Sequence, residues 1–64
     1  MKRRKLIKYL LAHGCQLHRE GSRHSIYINP VTQHKEAIPR HDEVNTFTMK
    51  KICKNLGAPV PSER

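Results

Sequence analysis

The sequence predicts an α+β fold of order α-β-β-β-α, in which a three-stranded antiparallel sheet carries two helices packed on one face. Three patterns predict it. Apolar residues recur at helical spacing near both ends, at Leu6, Ile7, Leu10 and Leu11 and again at Met49, Ile52, Cys53 and Leu56. Between them lie short strand-like stretches, "CQLHRE", "RHSIYIN" and "HKEAIP". Glycine, asparagine and proline divide these stretches at the places where turns are needed. With 64 residues the chain fits one domain, 1–64, with an ordered core of about 3–58 and a tail over 59–64.

Taken in order, the first helix is expected from Arg3 to His13, with Lys5 and Lys8 opposite the apolar side and Gly14 as a left-handed cap. His13 falls in the last turn, where a cation suits the helix dipole. Strands over 15–20 and 23–29 follow, joined by a two-residue type II′ loop at Gly21 and Ser22. That loop sets Glu20 opposite Arg23, Arg19 opposite His24, Leu17 opposite Ile26 and Cys15 opposite Ile28. The apolar pairs then face the core, Arg19 and His24 sit at the rim of the same face, and Tyr27 points to the other. Asn29 and Pro30 open a turn through about Gln33, and the third strand runs to Pro39. A loop over 40–45 leads to the last helix, capped by Thr48 and stopped by Gly57 and Pro59, with Lys50, Lys51 and Lys54 facing outward.

Composition narrows the function. Thirteen Lys and Arg against five Asp and Glu give a formal charge of +8, a field that draws in polyanions, nucleic acid first among them. A chain this short buries too little to wall a deep pocket. Cys15 and Cys53 are far apart in sequence, so they form neither a disulfide framework nor a metal knuckle, and they read as buried free thiols of a reducing cytoplasm. The histidines offer no second tightly spaced ligand pair, so no metal and no cofactor is expected. The basic start "MKRRKLIKYLLAHG" is too short and too polar in its apolar run for a signal peptide or membrane span. Aromatic residues are few, which leaves Tyr27 as the single candidate for stacking a base from the open sheet face. Without a turn-linked helix pair, DNA recognition is disfavoured.

Three strings in this order resemble the HicA family of small toxins: "GSRHSIY" at 21–27, "IPRH" at 38–41 and "TMKKICKNLG" at 48–57. The resemblance spans nearly the whole chain. It implies a compact α-β-β-β-α unit similar to a double-stranded-RNA-binding domain, and a metal-independent endoribonuclease that cleaves messenger RNA. It also implies silencing by a cognate antitoxin of the HicB type. Two histidines often follow Gly-Ser in that family; here Arg23 takes the first place and His24 the second. Because the second is the family's catalytic position, the resemblance places that role on His24.

The residues suit such chemistry. RNA brings its own nucleophile, the 2′-hydroxyl, so the protein must supply a base, an acid and cations around the reacting phosphate. Histidine, with an ordinary pKa of about 6.5, serves for either proton transfer. The expected RNA contacts are Arg19, Ser22, Arg23, Lys35 and Arg40, and guanidinium groups beside His24 would favour its neutral form. For a second proton-transfer group His18, His41 and Tyr27 all remain open. The rival function is a non-catalytic RNA-binding module in which His24 is structural. An acidic partner covering the hairpin mouth is expected, because an active cytoplasmic ribonuclease needs restraint and the exposed charge offers a docking surface.

Overall fold

A computed structural model describes residues 1–61. Helix α1 spans Arg3–Ala12, strands β1, β2 and β3 span Gln16–Glu20, His24–Asn29 and His34–Pro39, and helix α2 spans Thr46–Asn55. The strands form one antiparallel sheet in the order β1-β2-β3. The expected fold class and element order are therefore the observed ones. Of the tail expected over 59–64, residues 62–64 lie outside the described residues, and the Pro59 carbonyl accepts a hydrogen bond from the Tyr9 hydroxyl at 2.6 Å.

Both helices end in the same way. Gly14 and Gly57 take positive φ angles of 87° and 76°, which a side chain would resist. After α1, the Cys15 N–H bonds to the Leu10 carbonyl at 3.0 Å and the Gly14 N–H to that of Leu11 at 3.2 Å. After α2, the Ala58 and Gly57 N–H groups bond to the Cys53 and Lys54 carbonyls at 2.9 and 3.1 Å. This paired closure satisfies the last carbonyls and folds Cys15 and Ala58 back onto the core.

The start of α2 differs from expectation. Asn45, not Thr48, is the cap: its Oδ1 accepts from the Phe47 N–H at 2.8 Å, and its carbonyl accepts the first helical bond, from Met49, at 2.8 Å. Asparagine is the stronger cap, and three further residues, Thr46, Phe47 and Thr48, gain helical geometry, so Thr48 lies inside the first turn.

Leu6, Leu10, Ile38, Met49, Ile52 and Leu56 form the centre of the core, each at most 2% exposed. Ile7 is half-buried and Leu11 is exposed. Successive helical residues are about 100° apart, so a stripe centred on Leu6 and Leu10 turns Leu11 to the flank.

The hairpin is the main correction. Its two-residue loop is Ser22 and Arg23, one step later than expected, closed by the Gly21 N–H on the His24 carbonyl at 2.8 Å. Gly21 is not among the residues with positive φ, so the type II′ turn fails there. It serves close approach instead: a Cβ at Gly21 would stand 2.9 Å from the His24 carbonyl oxygen. Glu20 accordingly faces Ser25 and Arg19 faces Ile26; an irregularity at His18 then sets Leu17 opposite Tyr27 and Gln16 opposite Ile28.

The shift exchanges the two faces of β2. Ser25, Tyr27 and Asn29 are buried toward the helices, while His24, Ile26 and Ile28 occupy the open face. Tyr27 is thus a core residue, 7% exposed, and is closed to base stacking. Its large ring fills the core, and its polar neighbours find partners there. Asn29 Nδ2 donates to the Leu56 carbonyl at 2.7 Å, and Arg3 donates to Ser25 Oγ at 2.8 Å. Leu17 is half exposed because β1 is an edge strand whose side chains are all exposed.

Candidate functional site at the hairpin mouth

His24 is the first residue of β2, where the loop hands the chain to the sheet. Its side chain is exposed on the open face, and its carbonyl is tied to Gly21. Arg19, Gly21, Ser22, Arg23, His24 and Ile26 line one shallow cleft there, with no carboxylate among them. Arg19 stands opposite Ile26 rather than His24, so it lies diagonal to His24 across the ladder, a spacing that a long side chain can span. Arg23 comes from the loop itself. The cleft thus offers two guanidinium groups, one hydroxyl and one imidazole to an anion approaching the sheet.

The other expected contacts lie elsewhere. Arg40 is turned to the loop's edge, where it donates to Glu20 Oε2 at 2.9 Å and to the Gly21 carbonyl at 2.6 Å, so its charge is already matched. Lys35 pairs with Ile28 while His24 pairs with Pro39. That separation along β3 is roughly 13 Å at strand rise, and Lys35 lines a different groove with Glu36 and Lys54. Among the candidates for a second proton-transfer group, Tyr27 is on the opposite face, and neither His18 nor His41 lines the cleft.

Sequence reasoning missed the support beneath the cleft. Arg3, at the start of α1, donates from Nε to the Pro39 carbonyl and from Nη2 to Ser25 Oγ, both at 2.8 Å. The Ser25 hydroxyl, followed by the Arg40 guanidinium, holds the Glu20 carboxyl below the ordinary carboxylate range. The sole local signal was the pair Glu20 and Ser25 flanking the turn; Arg3 gave none.

Lys2, and the N-terminal amine more weakly, lower Glu43 in the same way. A carboxyl whose folded pKa is depressed stabilises the fold above its unfolded value, about 4.3, and that contribution is lost as pH falls through the folded value. The melting temperature should therefore fall as the solution is taken from neutral into the acid range below about pH 4. Glu20→Gln with Glu43→Gln should flatten that fall, which thermal melts across the range would read.

Burial pushes both thiols, Cys15 and Cys53, upward, and the pair is free and buried, consistent with packing rather than reactivity. Among the described residues no three His, Cys, Asp or Glu side chains come together as a metal site. Nor is any helix among them long and apolar enough to cross a membrane.

No curated protein sequence matches the chain, and no solved structure does. A family model described as "HicA toxin of bacterial toxin-antitoxin" matches residues 3–58, from the first residue of α1 to the residue that closes α2. With that match covering nearly all of its 64 residues, the chain belongs to the HicA toxin family of bacterial toxin-antitoxin systems.

Proposed function

We propose that this toxin is a metal-independent endoribonuclease that cleaves messenger RNA in the cytoplasm, with His24 as its acid-base residue. The observation that carries the reading is the cleft itself, where an exposed imidazole stands with Arg19 and Arg23 and, among the described residues, no carboxylate opposes an incoming phosphate. In the step envisaged, His24 takes the 2′-hydroxyl proton, the 2′-oxygen bonds to phosphorus, and the bond to the 5′-oxygen breaks. The arginines offset the charge that builds on the phosphoryl oxygens. The departing 5′-oxygen takes its proton from water or from the His24 imidazolium. Among the described residues no second proton-transfer side chain lines the cleft, so turnover should be slow.

This chemistry leaves a 2′,3′-cyclic phosphate and a 5′-hydroxyl. Placing a 2′-deoxynucleotide at the cut position should abolish cleavage there, because it removes the nucleophile. Persistent cutting at that position would rule out attack by the 2′-oxygen. We further propose that an antitoxin of the HicB type, acidic where it meets Arg19 and Arg23, covers the cleft. Its saturating addition should stop cleavage, and a bound antitoxin that left the rate unchanged would exclude direct blocking.

The missing second proton-transfer group also favours one rival, an RNA-binding module that cuts nothing. It predicts salt-sensitive RNA binding without product.

A further inference from the structure

On the helix side of the sheet, behind His24, polar side chains form one continuous path from α1 to the hairpin loop. Arg3 donates to Ser25 Oγ and to the Pro39 carbonyl. A guanidinium has no acceptor, so Ser25 must accept this bond, which leaves its own proton free to donate. Glu20 is the residue paired with Ser25 across the hairpin, so its carboxylate stands where that hydroxyl can reach it, the Ser25 hydroxyl being the first cause of its lowered pKa; the same carboxylate receives Arg40 Nη2 at 2.9 Å. Arg40 in turn donates to the Gly21 carbonyl. The direction of each bond is set by the guanidinium groups at either end.

Both ends of this path reach residues that flank His24. Pro39 is its partner on β3, and Gly21 is the residue whose N–H holds its carbonyl across the hairpin. Since His24 directs its carbonyl to Gly21, its peptide groups are turned away from β3 at the rung with Pro39. Proline has no N–H to add there. Arg3 supplies at that rung a hold that the ladder lacks. Ser25 is 1% exposed, so a partner removed from this path leaves a buried polar group unmatched.

We infer that Arg3, Ser25, Glu20 and Arg40 are positioning residues that grip the backbone on both sides of His24 and so aim its imidazole at the phosphate. The inference rests on the reading of His24 as the acid-base residue. None of the four need touch RNA to act.

The test uses the full chain cutting one defined messenger RNA, with melting curves confirming that each variant is folded. Arg3→Gln, Ser25→Ala and Glu20→Gln should each lower kcat about 10-fold or more, since small misplacements are costly in catalysis. KM should stay within about twofold, because binding is not what they serve. Arg3→Lys, which keeps the charge and loses the two-pronged donor, should fall with Arg3→Gln. The double variant of Arg3→Gln and Ser25→Ala should fall no further than the worse single change, as expected of one unit. Hydrogen exchange at the Gly21 amide should accelerate in the same variants. Should Ser25→Ala fail to fold, Glu20→Gln, at a half-exposed side chain, carries the test.

A raised KM at unchanged kcat, or full activity of Arg3→Lys, would overturn the inference by showing that these groups only attract RNA. Unchanged Gly21 exchange would refute the grip on its own, whatever the activity. His24→Ala measured alongside keeps the two failures apart: if it cuts like wild type, the reading of His24 falls and the positioning role falls with it.

Discussion

Leu10→Ala should melt at least about 10 °C below the wild type, having lost a large share of its stability. Leu10 is fully buried at the centre of the core. Removing a leucine side chain from such a site costs about 2–5 kcal/mol through lost burial and the cavity left behind. A domain of this size has about 3–10 kcal/mol in total. Leu10 also occupies the position whose carbonyl receives the N–H groups of His13 and Cys15, so loosening it loosens the turn that feeds β1. Leu11→Ala is the control: its side chain is half exposed, and its cost should stay within about 0.5 kcal/mol. A Leu10→Ala melting point within a few degrees of wild type would mean that the core is centred elsewhere.

His24→Ala should do the opposite, leaving the fold intact and removing the proposed cleavage. The imidazole is exposed, and the bond that closes the hairpin is made by the His24 backbone carbonyl, which alanine retains. Loss of a positioned acid-base group lowers the rate by about 10²–10⁴-fold. RNA binding should persist, since Arg19, Ser22 and Arg23 remain in place. Arg19→Ala should show the converse pattern, with weaker binding and a shallower dependence on salt.

The helices were legible because their signals are local. The spacing of Leu6 with Leu10, and of Met49, Ile52, Cys53 and Leu56, states which side is buried, and Gly14 and Gly57 mark the ends. The third strand, between the Asn29 turn and Pro39, was legible for the same reason. The face of β2 was not. "HSIYIN" alternates equally well with Ile26 and Ile28 inward or with Ser25, Tyr27 and Asn29 inward. The partners that decide it, Arg3 for Ser25 and the Leu56 carbonyl for Asn29, lie 22 and 27 residues away.

The site divides along the same line. Ser22, Arg23 and His24 are neighbours in the chain, so the turn that was expected near them gathers them whichever residue leads it, and Arg19 joins from the facing strand. Arg40 and Lys35 are separated from the cleft by pairings that no short string reveals. The role proposed for His24 rests on the resemblance of "GSRHSIY" to its family, since an exposed histidine at a strand end has no distinguishing pattern of its own.

The measurement that bears most directly on this account is cleavage of one defined messenger RNA in EDTA by wild type and His24→Ala, after circular dichroism shows that both fold alike. The account predicts cutting by the wild type and none above background by the variant, with RNA binding equal in the two. Equal cutting by both proteins would contradict it, as would equal binding with no cutting by either.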